Sequence, residues 1–181
     1  SHVPALIAAA LLAAIPGLFA YFWFVAIFTP DTPTYLGLAE QINAGPLARG
    51  EALLAPGAMP LSLYRTAGFP LILLALQTAW PEGWVLALVL LQVAAQSALA
   101  AMAFHTARLC GLGLHGAMFA ALAPAVGFTM VGQVMVMTDA IYGALFSMAA
   151  LLLVQLAVTG RQALGFIALA GLLLGLATTI R

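Results

Sequence analysis

Lysine is absent, cysteine occurs once, and only 6% of the 181 residues are charged. A water-soluble domain has roughly a quarter of its residues charged, so this composition belongs in a membrane rather than in water. The formal net charge is zero, which leaves no basic footprint for nucleic acid and no polybasic patch for an anionic lipid surface. Cys110 has no second cysteine to pair with, which excludes an internal disulfide and a cysteine-based metal site. His2, His105 and His115 stand in no ligand pattern with nearby acids. No phosphate-cradling glycine loop, zinc signature or nucleophile elbow is present.

Apolar residues fill that gap: 65% of the chain is hydrophobic and mean hydropathy is +1.16. Length is therefore counted in membrane spans of about 20 apolar residues each. Residues 4–28, 84–107, 115–135, 139–158 and 163–180 read as five spans of one all-α transmembrane domain covering 1–181. The first run is too long for a signal-peptide core. Pro16-Gly17 is a candidate kink within it, and Tyr21 and Trp23 a candidate aromatic belt.

Residues 29–83 form one long loop that holds most of the polar chemistry. Thr32-Pro33 has the form of a helix start, with Thr32 as N-cap, and Gly45-Pro46 that of a stop. Tyr35, Leu36, Ala39 and Ile42 would share one face of a short amphipathic helix at the membrane surface. Residues 69–80 are apolar but too short to cross about 30 Å of hydrocarbon, so they read as a re-entrant or interfacial helix.

The resulting zigzag places all five acids, Asp31, Glu40, Glu51, Glu82 and Asp139, on one face of the membrane. Arg108 and Arg161 fall in short turns on the other face, which the positive-inside rule makes cytoplasmic. Arg49 and Arg65 lie on the acid-rich side, in the long loop. The all-arginine basic set, with abundant Ala, Leu and Gly, matches the usage of a GC-rich bacterium.

Asp31 lies between two prolines just after the first span. It reads either as a helix cap or solvated loop acid, or as a partly desolvated carboxylate suited to general-base work. Tyr35 follows one helical turn later. In Tyr64-Arg65-Thr66-Ala67-Gly68-Phe69-Pro70 the arginine could fork onto a phosphate or snorkel to lipid headgroups. Gly68 and Pro70 would fix the backbone where the loop enters the membrane. Asp139 opens the fourth span, as a helix-start acid or as a functional ionisable group at membrane depth. Gln92 and Gln96, four residues apart, share a face and read as packing residues ahead of cavity-lining ones.

The order of these motifs is more specific than any one of them. An apolar first span, then Asp31 to Gly45 with Tyr35 and Glu40, then Tyr64 to Pro70, then Leu91-Gln92, Pro124 and Thr138-Asp139, resembles the N-terminal part of the GT-C glycosyltransferases. The bacterial branch near the protein O-mannosyltransferases and the lipid A aminoarabinose transferases is the most similar. The resemblance runs from about Phe22 to Arg181.

It implies a membrane glycosyltransferase of the bacterial inner membrane. Such an enzyme moves a sugar from a polyprenyl-phosphate donor to an extracytoplasmic acceptor. It also implies Asp31 as catalytic base and Arg65 on the donor phosphate. Tyr35 and Tyr64 would line the donor pocket, with Asp139 as a further polar group. It fixes no cofactor, leaves room for a divalent metal, and does not name the sugar or the acceptor. Two departures stand out. Thr32 follows Asp31 where family members often carry a second acid, and the chain stops at Arg181 where relatives continue into further helices. The second departure implies a portion of a longer enzyme or one piece of a split one. The rival readings are a transporter or flippase and a non-catalytic membrane subunit.

Overall fold

The computed structural model describes residues 2–24, 26–43, 66–126, 132–160 and 164–180. These fold as α1 (Val3–Phe24), α2 (Thr32–Asn43), α3 (Gly68–Ala79), α4 (Trp84–Leu109), α5 (Leu114–Leu122), a 3-10 turn (Ala123–Ala125), α6 (Asp139–Thr159) and α7 (Leu164–Ile180). Three of the helices, α1, α4 and α6, are long and apolar enough to cross a membrane. At 1.5 Å per residue they reach about 30–40 Å. Large apolar side chains such as Phe22, Trp23, Phe119 and Leu164 project outward. An exterior of this kind is stable only where the solvent is itself apolar.

Small residues set the spacing of the helices. Ala9, Ala13, Gly17 and Ala20 make the buried stripe of α1, which lies against α4. Ala9 and Ala13 meet Ala100, Phe104 and Ala107 of α4 and Ala117 and Ala121 of α5 in one cluster. Lipid tails are as apolar as leucine, so close backbone approach and van der Waals contact, rather than hydrophobic burial, hold such helices together. Helix α4 is central, packing on α1, α5 and α6, and α6 in turn packs on α7.

Two span boundaries read from hydropathy require correction. The first span does not run helically to residue 28: α1 ends at Phe24, and Ile27 forms a parallel bridge with Met135. The Ile27 N–H donates to the Val134 carbonyl at 2.8 Å, and the Val136 N–H donates to the Ile27 carbonyl at 3.0 Å. Pro30 biases Thr29 away from helical geometry, so an extended exit is the cheaper path. The expected span 115–135 is also not one helix. Helix α5 stops at Leu122, Pro124 sits in the 3-10 turn, and Val126 is extended. Proline lacks the donor N–H and clashes with the preceding turn, which ends the helix. The run reappears at Gly132–Thr138 as irregular, mostly buried backbone.

The short helices follow the expected limits closely, and α4 extends two residues further, to Leu109. The buried face of α2 is Thr32, Tyr35, Leu38 and Ala39, with Leu38 in the place expected of Leu36. The Thr32 hydroxyl does not cap its own helix. It accepts from the Thr29 N–H at 2.8 Å and donates to the Val136 carbonyl at 3.0 Å. Gly45-Pro46 lies outside the described residues.

Gly68 marks where α3 meets the end of α7. A Cβ at this position would collide with the main-chain carbonyl of Thr179, so the glycine is required by close approach of two backbones. Gly171 of α7 has nothing within 4 Å of a built Cβ. Gly68→Ala should therefore cost about 1–3 kcal/mol through overpacking, whereas Gly171→Ala should be neutral or stabilising by up to about 1 kcal/mol. Unfolding titrations in mixed micelles would check the pair, and equal stabilities would contradict the close approach.

Candidate functional site

Within an apolar bundle, backbone that is neither helix nor closed sheet is tolerated only where protein or a cavity satisfies its polar groups. Gly132–Thr138 is such a stretch, and its satisfaction comes from distant residues. Gln92, 1% exposed on α4, donates its amide to the carbonyls of Met135 at 3.0 Å and Met137 at 3.4 Å. Thr32 donates to Val136 from the other side, and Ile27 pairs along the edge. The Ile27 stretch, α4 and α2 thus anchor four successive carbonyls of one segment, Val134 to Met137.

The segment delivers Thr138-Asp139 to the start of α6. The Tyr35 hydroxyl lies 3.5 Å from the Thr138 hydroxyl, which donates to Asp139 Oδ1 at 3.4 Å. These bonds are long, so the chain Tyr35–Thr138–Asp139 is loose in this state. Tyr35 is nearly fully buried and stands edge-on to Phe69 of α3, ring centres 5.0 Å apart. Both belong to a cluster with Leu73, Leu88, Val136 and Ile141 that joins α2, α3, α4 and α6.

Asp31 precedes α2 by one residue and is half-buried. Its main-chain carbonyl accepts from the N–H groups of Thr34 and Tyr35 at 3.1 and 3.3 Å, which fixes the residue at the mouth of the α2 turn. Phe28 meets Trp84 edge-on at 6.4 Å, bringing the Asp31 segment beside the start of α4 and hence beside Glu82. Asp31, Glu82 and Asp139 therefore share one end of the bundle. At the other end Arg108 donates to the Leu112 carbonyl at 2.7 Å and lies 3.4 Å from His2 Nε2.

No protein-family model, curated protein or solved structure matches the chain.

Of the residues singled out from sequence, Asp31, Tyr35 and Asp139 come to the same end, around the irregular segment. Tyr64 and Arg65 lie outside the described residues. Gln92 and Gln96 divide the two roles open to them: Gln92 bonds to backbone, and Gln96 lines a cavity with Gln133 and Asp139. Gln133 and Thr138 are the additions from structure. Their signal in the sequence was a polar pair, Gly132-Gln133, and a second pair, Thr138-Asp139, closing an otherwise apolar run. Among the described residues, no three His, Cys, Asp or Glu side chains gather as a metal site.

Proposed function

We propose that this chain is a membrane glycosyltransferase that passes a sugar from a polyprenyl-phosphate donor to an extracytoplasmic acceptor, with its chemistry at the Asp31 end. The observation that carries the reading is the convergence of Asp31, Tyr35 and Asp139 on a buried, irregular stretch of backbone. A helical bundle that only packed against a partner would have no need to interrupt its helices there.

Asp31 accepts the proton of the acceptor hydroxyl as its oxygen attacks the anomeric carbon. The bond from that carbon to the phosphate oxygen breaks, and polyprenyl phosphate departs with the bonding electrons. Arg65 neutralises the charge that grows on the departing phosphate. Tyr35 and Tyr64 flank the donor, and Asp139 contributes a second acidic group near the sugar. Five membrane crossings, with the turns at Arg108 and Arg161 in the cytoplasm, put this end on the periplasmic face of a bacterial inner membrane.

The test is transfer of a labelled sugar from the polyprenyl-phosphate donor by protein reconstituted in liposomes. Arg65→Ala should raise the KM for donor at least about tenfold, the usual scale for losing a charged hydrogen bond, and Arg65→Lys should recover part of it. An unchanged donor KM in Arg65→Ala removes that residue from the phosphate. Passage of intact donor across the bilayer with no glycosidic product would favour a transporter.

A further inference from the structure

A hollow of about 450 Å³ lies at the Arg108 end of the bundle, away from the acids. His105 and Leu109 of α4, Gln155, Leu156 and Thr159 of α6, and Phe166 of α7 line it. Both α4 and α6 end beside it, at Leu109 and Thr159. At about 1.5 Å per residue, Gln155 lies about 6 Å below the end of α6, which is the depth of a lipid head-group layer.

Which polar atoms remain free decides what such a hollow can hold. Gln155 is only 8% exposed and donates its amide nitrogen to the Thr106 hydroxyl at 2.8 Å. Thr106 passes its own proton to the Met102 carbonyl, so this chain of bonds braces α4 against α6. The Gln155 amide oxygen has no hydrogen-bond partner among the described residues. Unpartnered amide oxygens that are sealed inside the packing do occur here, at Gln92 and Gln133. The Gln155 oxygen is not one of them, so it opens onto the hollow that its side chain lines. Beside it the Thr159 hydroxyl donates to the Gln155 carbonyl at 2.7 Å, which leaves only its lone pairs for a guest. Helix α6 closes at a left-handed Gly160, and its last carbonyls give this end a negative partial charge.

Oxygen acceptors without a carboxylate select a guest that donates. A primary ammonium has three N–H groups to spend on Gln155 Oε1, Thr159 Oγ1 and water. No acid among the described lining residues would balance its charge, so the guest has to carry its own counter-ion. A phosphate two carbons away does so. It would lie by the exposed His105 ring and the first turn of α7, where the helix dipole is positive. Leu109, Leu156 and Phe166 form an apolar rim for acyl chains. A quaternary ammonium of equal charge has no proton to donate and leaves the buried acceptors unmatched.

We propose that the Gln155–Thr159 hollow binds a phospholipid with a primary ammonium head, its N–H groups on Gln155 Oε1 and Thr159 Oγ1. Phosphatidylethanolamine is the simplest such lipid. The site lies at the far end from Asp31 and does not depend on the sugar-transfer reading.

The test uses the whole protein in phosphatidylcholine nanodiscs with a trace of either of two photoreactive probes. These are a phosphatidylethanolamine and a phosphatidylcholine with the same diazirine-bearing acyl chain. Labelling of residues 105–109 and 155–159 is read relative to the lipid-facing side of α1. The ethanolamine lipid should exceed the choline lipid there at least about tenfold, the scale of a hydrogen bond to a charged group. Gln155→Leu should abolish that preference. It also removes the bond to Thr106, so its folding is followed by thermal unfolding. Thr159→Val leaves that bond intact and should lower the preference at least about threefold, the scale of one ordinary hydrogen bond. Equal labelling of the parent by the two lipids would overturn the ammonium without recourse to any variant. A preference kept by a folded Gln155→Leu protein would overturn the site. Where that variant does not fold, a preference unchanged in Thr159→Val would overturn it instead. Any of these failures leaves sugar transfer from the polyprenyl-phosphate donor measurable and its interpretation intact.

Discussion

Asp31→Asn is expected to lower kcat for sugar transfer by about 10²–10³, within the usual range for loss of a general base. The substitution keeps the size and hydrogen-bonding shape of the side chain but removes the proton acceptor. The bonds from Thr34 and Tyr35 go to the main-chain carbonyl of Asp31, which asparagine retains, so these two bonds of the α2 turn survive the substitution. Donor KM should change little, because the interaction is made in the transition state rather than in the ground state. Asp31→Glu returns a carboxylate at a displaced position and should keep partial activity. A variant that lost kcat and stability together would instead identify Asp31 as a structural residue, and full activity in Asp31→Asn would remove it from the reaction.

Gln92→Leu should destabilise the bundle by about 1–2 kcal/mol and reduce transfer with it. Two buried carbonyls, those of Met135 and Met137, lose their donor. Orphaned carbonyls cost about 1–3 kcal/mol each in water-soluble proteins. In membranes the penalty is smaller, averaging about 0.6 kcal/mol per bond, because the unfolded chain also finds partners. Part of the loss is returned because Gln92 Oε1, itself without a partner among the described residues, is removed. Gln92→Glu is the sharper companion, since an ionised carboxylate has no proton to donate and would face the same two carbonyls acceptor to acceptor. It should be worse than leucine despite its closer shape. Unfolding titrations in mixed micelles rank the three proteins, and a glutamate variant as stable as the parent would mean that Gln92 does not anchor the irregular segment.

The parts of this fold that could be read from sequence are those governed by local rules. Continuous apolar runs marked α1, α4 and α6, and the Thr32-Pro33 pair placed the start of α2. The length of 69–80 marked α3 as too short to cross. What escaped was the exit of the first span and the break in 115–135. Residues 26–28 and 134–137 are as apolar as their helical neighbours, and hydropathy is blind to whether such a run is helical or extended. Their pairing joins Ile27 to Met135 across more than a hundred residues, a contact with no local trace. Pro124 did signal the break, but proline is tolerated inside transmembrane helices, and Pro16 lies within α1 in this same chain.

The site divides along the same line. Asp31 and Asp139 stood out because acids are scarce here, and their placement on one face followed from counting spans. That Tyr35 reaches Thr138, and that Gln92 holds the segment between them, depends on side-chain geometry across three helices. Gln133 was legible only as one half of a polar break. Its burial without a partner among the described residues is a property of the packed bundle.

Product analysis with doubly labelled donor bears most directly on a transferase with its chemistry at the Asp31 end. The whole protein in liposomes would receive polyprenyl-phosphate sugar labelled separately in the sugar and in the lipid, together with a mixture of extracytoplasmic acceptors. Transfer chemistry requires one polyprenyl phosphate released for each glycosidic bond formed, and both products lost together in Asp31→Asn. Sugar and lipid labels that remain joined while crossing the bilayer, or product formed equally well by Asp31→Asn, would contradict it.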